Sequence, residues 1–280
     1  MTKKRKVIRS EVMGFCMGVK SVIQIVENEI EGEDGRPLYT YGPLIHNRLV
    51  IDRLHKSGVG EIEAPEEAEG GTIVIRAHGI HPGKRRAFEE AGYRVVEGTC
   101  PRVLKSQNTV SEYSRKGWNV IIVGDKNHGE VRAIEGCAER FTTILTEKEA
   151  ESVPVPDKTL VIAQTTLSME EYDRICQILS SRNPEIKIVK SICPATRQRQ
   201  STLKELIEKV QAVVVVGGKN SANTRRLYLT AEKTGIPCWH VEDVDELPRD
   251  LKKYEVVGIT AGASTPDWVI DNIEKAIEEL

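Results

Sequence analysis

Three of the six cysteines in this 280-residue chain share a local sequence pattern that could place a reactive or metal-binding thiol. Cys16 lies between glycines in the segment 14–18, and Cys100 and Cys193 are each followed by proline. A predicted strand ends at each of these cysteines and a helical pattern follows. Each thiol should therefore lie at the carboxyl end of a strand, where open α/β sheets carry their chemistry. Three such thiolates suit a 4Fe–4S cluster with one open iron or an open zinc site, and the alternative is three buried thiols that pack as small hydrophobic groups.

The other three cysteines, Cys137, Cys176 and Cys238, lack this setting. We expect Cys176, on a helical face, and Cys238, which follows a proline in an apolar run, to be core residues. No C-x-x-C spacing occurs, so the sequence contains no local zinc knuckle and no bacterial ferredoxin motif. In a chain expected to stay in a reducing compartment, six cysteines do not indicate a disulfide framework.

Polar loops after the predicted strands supply a second group of candidates. His46, His78 and His128 lie in such loops, and Glu130 shares a loop with His128. Serine, asparagine and threonine in these loops are explained by helix N-capping, but the same donors at helix N-termini also suit a diphosphate group. If Glu130 faces a closed cavity, its raised proton affinity suits a general acid, whereas on the surface it is an ordinary first-turn acid. Neither a Walker P-loop nor a G-x-G-x-x-G motif is present.

The elements that must position these residues alternate along the chain. Short apolar runs bounded by glycine or polar turns are typical of strands buried on both faces, and helical patterns separate them. This alternation predicts an α/β fold. The predicted strands include 72–75, 120–123, 160–162, 213–216 and 256–259, and the predicted helices include 19–30, 47–56, 170–180 and 202–210.

A weak internal repeat suggests how the chain is divided. The segments 7–16, 94–100 and 187–193 align at their cysteines, and each is followed by a helical pattern. We predict three similar α/β units with mostly parallel sheets. The predicted units are 14–99 with Cys16, 100–192 with Cys100, and 193–280 with Cys193, the last completed by an N-terminal strand in 1–13.

Composition excludes several classes of protein. The 40 basic and 42 acidic side chains give a formal charge of −2, which argues against a strongly cationic nucleic-acid binder. No uncharged run approaches the roughly 20 residues that a membrane span requires. The basic start is not followed by the apolar region of a signal peptide. We therefore expect a cytoplasmic protein without nucleic-acid or membrane partners.

Nine motifs occur in order over nearly the whole chain. They are Gly14-Phe15-Cys16-x-Gly18-Val19, His46-Asn47, Ala77-His78-Gly79, Thr99-Cys100-Pro101, His128-Gly129-Glu130-Val131, Gln164-Thr165-Thr166-Leu167-Ser168, Ile192-Cys193-x-Ala195-Thr196-x-x-Arg199-Gln200, Gly218-Lys219-Asn220-Ser221-x-Asn223 and Thr260-Ala261-Gly262-Ala263-Ser264-x-Pro266-Asp267. Any one motif is modest evidence, but nine in sequence are specific. Together they resemble one family, the 4-hydroxy-3-methylbut-2-enyl diphosphate reductases.

The resemblance implies a trefoil of three α/β units around a central 4Fe–4S cluster and assigns roles to matched residues. Cys16, Cys100 and Cys193 match the cluster ligands. The residues that match diphosphate-binding positions are His46, His78, Ser221, Asn223 and Ser264. The residues that match positions handling the substrate hydroxyl and proton delivery are His128, Glu130 and Thr165.

The resemblance also implies the reaction, the last step of the non-mevalonate isoprenoid pathway. (E)-4-hydroxy-3-methylbut-2-enyl diphosphate is reduced and dehydrated to isopentenyl and dimethylallyl diphosphates, with electrons from a one-electron donor such as ferredoxin or flavodoxin. The chain departs from the family pattern at Ala222, where many members carry serine, and at Gly129, where proline is frequent. The rival hypotheses are a zinc hydrolase with Glu130 as base and a non-catalytic iron–sulfur sensor.

Overall fold

The computed structural model describes residues 5–32 and 35–280, so residues 1–4 of the predicted N-terminal strand segment lie outside the described part. The strands are β1 (Lys6–Arg9), β2 (Leu38–Tyr41), β3 (Gly60–Ile62), β4 (Thr72–Val74), β5 (Arg94–Val96), β6 (Asn119–Val123), β7 (Phe141–Ile144), β8 (Thr159–Ala163), β9 (Lys187–Val189), β10 (Ala212–Val216), β11 (Cys238–Val241) and β12 (Val256–Ala261). The helices are α1 (Met17–Glu31), α2 (Arg48–Lys56), α3 (Pro82–Glu90), α4 (Pro101–Arg115), α5 (Gly129–Glu135), α6 (Glu147–Ser152), α7 (Met169–Arg182), α8 (Pro194–Ile207), α9 (Ala222–Glu232) and α10 (Asp267–Glu279).

The described strands form three four-stranded sheets in which all neighbouring strands are parallel. The orders are β3-β2-β4-β5, β7-β6-β8-β9 and β11-β10-β12-β1. In the first two sheets, the strands counted along the chain lie in the order second, first, third, fourth. The third sheet has the same order if β1, which comes first in the chain, is counted as the fourth strand after β10, β11 and β12. The predicted α/β class and its three similar parallel sheets are confirmed.

The chain forms two compact units. One contains the described residues of 1–19, 45–52 and 194–280 and includes the sheet β11-β10-β12-β1. The other contains those of 20–44 and 53–193 and includes the two remaining sheets. The three domain boundaries suggested by the cysteine repeat stay a prediction.

Burial explains why the central strands are so apolar. All five residues of β8 and all five of β10 are buried. Parallel strands covered by helices on both faces need side chains that can be buried on either side, and valine and isoleucine also suit the extended backbone. None of the helices among the described residues has both the length and the apolar character needed to cross a membrane.

Two details of the local structure differ from the predictions. Helix α8 begins at Pro194, well before the predicted 202, because a proline suits the first helical turn. The early start was not predicted because the polar segment after Pro194 shows no apolar periodicity. The strands also end before the cysteines, β5 at Val96 and β9 at Val189. Each cysteine instead occupies the residue directly before a helix, α1, α4 or α8.

Candidate active site

Topology places the candidate residues in corresponding loops of the three sheets. His46, His128 and Ser221 follow the first strands β2, β6 and β10 along the chain. His78, Thr165 and Ser264 follow the third strands β4, β8 and β12. First and third strands are neighbours in each sheet, and the chain leaves them in opposite directions, which makes their carboxyl ends the usual ligand site of an open parallel sheet.

One backbone hydrogen bond recurs at the three cysteines. In each case the cysteine N–H donates to a carbonyl oxygen in the loop after the third strand of the same sheet. The bond therefore joins the cysteine to the loop that carries a polar candidate. The pairs are Cys16 with Ala263 at 3.1 Å, Cys100 with Ala77 at 3.1 Å and Cys193 with Thr165 at 2.9 Å.

The three thiols have the chemistry of a soft metal site. All three cysteines are unbridged and half-buried, and Cys100 occupies the N-cap of α4 without a side-chain capping bond. Burial raises the pKa of the Cys137 thiol to about 11 and also that of Cys176 to about 11. A metal ligand binds as the thiolate, so either of these thiols would have to overcome this extra cost of ionisation to become a ligand. Cys176 packs in a core cluster, as expected. The donor set of Cys16, Cys100 and Cys193 fits an iron–sulfur cluster.

Glu130 and Thr165 form the most closely connected pair in the candidate site. Glu130 is the second residue of α5 and is 1% exposed. Its Oε1 accepts a hydrogen bond from the backbone N–H of Thr165 at 2.6 Å, and its Oε2 accepts one from the Thr165 hydroxyl at 2.8 Å. Burial raises the pKa of Glu130 to about 7, although both bonds from Thr165 act in the opposite direction. The carboxyl can therefore hold a proton near neutral pH and release it there.

His128 caps the helix on which Glu130 lies. It is buried, and its Nδ1 accepts a hydrogen bond from the backbone N–H of Glu130 at 3.2 Å. Because Nδ1 is the acceptor, the proton of the neutral imidazole is assigned to Nε2. The ring of half-buried His78 packs edge-to-face against that of His128, with centroids 5.1 Å apart. The structure thus brings His78, His128, Glu130 and Thr165 together.

A second polar group lies in the unit that contains β10 and β12. The Ser264 hydroxyl donates to the carbonyl oxygen of His46 at 3.2 Å. Ser221 caps α9, and its Oγ accepts from the backbone N–H of Thr224 at 3.3 Å, so the capping explanation holds while the hydroxyl proton stays able to donate. Asn223 is 5% exposed, and its Nδ2 has no hydrogen-bond partner among residues 5–32 and 35–280. A buried amide donor without a partner is costly, and a bound anion would satisfy it.

Two polar side chains near these loops were not singled out for a role by sequence reasoning. His240 lies in β11 and is half-buried, with its Nε2 2.8 Å from the carbonyl oxygen of Gly217. Arg199 is buried and donates to the carbonyl oxygen of Gly14 at 2.6 Å. Arg199 falls in a matched motif and could have been found there. Nothing in the sequence around His240 indicates a carbonyl partner 23 residues away.

Comparison with known proteins places the chain among a well-populated group. The family model described as LytB protein matches residues 7–278. A relative from Treponema denticola named 4-hydroxy-3-methylbut-2-enyl diphosphate reductase is 42% identical over 97% of this chain and 98% of its own length. A relative of the same name from Thermoanaerobacter sp. is 40% identical over 98% of this chain and 97% of its own length.

Two solved structures have the same fold. The E-1-hydroxy-2-methyl-but-2-enyl-4-diphosphate reductase of Plasmodium falciparum aligns with a TM-score of 0.91 at 27% identity, covering 99% of this chain and 88% of that one. A structure titled (E)-4-hydroxy-3-methyl-but-2-enyl diphosphate reductase, the terminal enzyme of the non-mevalonate pathway, aligns with a TM-score of 0.71 at 35% identity. That alignment covers 99% of this chain and 100% of the other. The fold therefore matches that of solved reductases.

The raised pKa of Glu130 predicts a pH-dependent stability. Folding favours the protonated carboxyl, so the stabilisation is complete below the ordinary pKa of 4.5 and is lost as the pH rises through about 7. Glu130→Gln cannot ionise. Between pH 5 and pH 8, the free energy of unfolding of the variant should therefore rise by up to about 3 kcal/mol relative to that of the wild type. Urea unfolding at each pH measures this difference. The same substitution at exposed Glu139 is the control, and a difference between Glu130→Gln and wild type that does not change with pH would contradict the assignment.

Proposed function

This chain belongs to the LytB protein family, and on that premise we propose that it reduces and dehydrates (E)-4-hydroxy-3-methylbut-2-enyl diphosphate to isopentenyl and dimethylallyl diphosphates. The relatives that match nearly its whole length are named as reductases of this diphosphate. The observation that carries the proposal is the buried Glu130, held by Thr165 and able to keep a proton near neutral pH. Removal of an alcohol oxygen as water requires a proton donor of this kind.

Cys16, Cys100 and Cys193 would hold a 4Fe–4S cluster. When bound, the cluster supplies electrons one at a time and an open iron that acts as a Lewis acid. The recurring backbone bond supports this ligand set, because it gives the three cysteines the same position relative to their own sheets. The raised pKa values of Cys137 and Cys176 support it as well, since burial makes both thiols harder to ionise to the thiolate that a ligand must be.

Glu130, Thr165 and His128 would handle the proton that leaves with the oxygen. Hydroxide is a poor leaving group, so the departing oxygen must be protonated as the C–O bond breaks. The Thr165 hydroxyl and the Glu130 carboxyl already share a hydrogen bond, which allows Thr165 to orient the substrate hydroxyl while Glu130 donates the proton. His128 fixes the start of α5 through Nδ1 and keeps its Nε2–H as a donor. Burial of Glu130 excludes water as a competing acid.

His46, His78, Ser221, Asn223 and Ser264 would bind the diphosphate. Their groups are neutral or titratable donors, and hydroxyl, amide and imidazole N–H groups all suit phosphate oxygens. The buried Nδ2 of Asn223 supports this assignment most directly, because a diphosphate oxygen would supply the partner that it lacks in the described structure. Anchoring the diphosphate makes the reaction effectively intramolecular, a gain that reaches roughly 7–11 kcal/mol at ideal alignment.

The reaction needs an electron source and a compartment. We place the enzyme in the cytoplasm, where a one-electron donor such as ferredoxin or flavodoxin would reduce the cluster.

Ala222 removes one possible hydroxyl contact to the diphosphate. It leaves Ser221 and Asn223 on either side.

Strictly anaerobic purification followed by iron and sulfide analysis tests the proposed function. We expect about four irons and four sulfides per chain, the content of one 4Fe–4S cluster. With a chemical reductant and the hydroxylated diphosphate, we expect both isoprenoid diphosphates to form. Zinc without acid-labile sulfide would support the hydrolase instead. A loaded cluster with no product from this substrate would reject the reductase.

The Asn223 assignment predicts a binding defect. Asn223→Asp replaces a buried donor with an anion that repels the diphosphate, so KM should rise at least about tenfold, the loss expected for one charge-assisted hydrogen bond. The cluster absorption spectrum should be unchanged. Asn108→Asp, on an exposed position of α4, is the matched control and should leave KM as in the wild type. An unchanged KM in Asn223→Asp would remove Asn223 from the diphosphate site.

A further inference from the structure

Arg76 lies in an unusual position for an arginine. It precedes the His78 turn, in which its carbonyl oxygen accepts a hydrogen bond from the Gly79 N–H at 2.9 Å. Its guanidinium carbon lies 5.0 Å from the centroid of the Tyr41 ring. Its buried Nε has no hydrogen-bond partner among residues 5–32 and 35–280. Burying such a group costs free energy, and packing must compensate.

The guanidinium is wedged between two glycines from different loops. A β-carbon on Gly42, which has a φ of +58°, would lie 2.8 Å from Nη1 of Arg76. A β-carbon on Gly129 would lie 2.6 Å from Nη2 and 3.1 Å from the guanidinium carbon. Separations below 3.0 Å essentially never occur for a real β-carbon, so a side chain at either position would force the guanidinium to move. With Arg76 held in this place by the Tyr41 ring, both loops can approach it because residues 42 and 129 lack side chains.

These contacts join the parts of the site that handle the proton. The backbone of Arg76 fixes the turn that carries His78. Its side chain lies against Gly129, the first residue of α5, which separates His128 from Glu130. The Arg76 side chain also lines a cavity of about 590 Å³ together with Tyr41, Gly129 and Arg132, so solvent would fill the space if the side chain were removed.

We propose that Arg76 is a positioning residue for Glu130: its guanidinium fills the space that a side chain at position 129 would occupy, and so holds the start of α5 against the His78 turn. Arg76 and Gly129 are then a matched pair, each setting the size allowed to the other. The effect on turnover rests on the proposed function, whereas the packing itself does not.

The action of Arg76 on Glu130 is steric and not electrostatic. Burial is the cause that raises the pKa of Glu130, and only the hydrogen bonds from Thr165 oppose it. The titratable groups that act electrostatically on the Arg76 guanidinium are Tyr41, Glu61, Glu63 and Arg132, and Glu130 is not one of them. A lysine at position 76 would keep the charge but lose the planar group that fits between the glycines. Lysine should therefore fail to replace it.

A double-mutant cycle tests the pairing in unfolding, amide exchange and turnover. With Arg76 present, Gly129→Ala should lower the urea midpoint and reduce kcat about tenfold, because it displaces Glu130 from its reacting position. In the Arg76→Ala background, the same change should cost less than about twofold in kcat and should not lower the midpoint, because alanine favours a helix over glycine. Arg76→Ala alone should lower kcat and speed amide exchange of 129–132 about tenfold through local opening, with KM within about twofold of wild type.

Controls separate the steric role from general damage. Arg86→Ala removes a guanidinium from an exposed position of α3 and should be additive with Gly129→Ala. Arg76→Lys should keep the exchange and kcat defects, and it replaces Arg76→Ala in the cycle if the alanine variant does not fold. Equal effects of Gly129→Ala in both backgrounds, or a lysine variant with wild-type exchange and kcat, would overturn the proposal. If the wild type turns over no substrate, coupling in unfolding and exchange still decides it.

Discussion

The position of every candidate site residue depends on one constraint that acts in all three sheets. The fourth strand of each sheet lies beside the third. The cysteine that follows the fourth strand donates its backbone N–H to a carbonyl oxygen in the loop after the third strand. That loop carries His78, Thr165 or Ser264. Because the strands are parallel, these loops leave the same edge of each sheet as the loops after the first strands. One topology, used three times, thus brings thiols and polar donors to equivalent places.

Within that framework the site keeps groups that are unfavourable for stability alone. Glu130 is buried with its pKa raised. In the described part of the chain, the buried amide nitrogen of Asn223 and the buried Nε of Arg76 both lack a hydrogen-bond partner. Each costs free energy in the folded chain. All three lie in loops or first helical turns at the carboxyl ends of strands, while the valine- and isoleucine-rich strands behind them supply the stability. This separation of stable strands from costly loops is expected of a catalytic protein.

Sequence reasoning predicted the fold class because short apolar runs such as 213–216, flanked by helical patterns, are typical of strands buried on both faces. The same reasoning found His128 and Glu130 together, since they are neighbours in the chain. It did not find the contact of Arg76 with Gly129 or that of His240 with Gly217, because each joins segments that are far apart in the sequence. It also extended the strands to the cysteines, since apolar periodicity does not reveal where a chain leaves a sheet.

The proposed function depends most on three equivalent cysteines, and no others, holding one cluster. Single alanine variants of all six cysteines, purified anaerobically, test this by their iron and sulfide content. Cys16→Ala, Cys100→Ala and Cys193→Ala should each lose most of both, while Cys137→Ala, Cys176→Ala and Cys238→Ala should keep the wild-type content. Wild-type iron and sulfide in any of the first three variants, or their loss from a folded variant of the second three, would contradict the account.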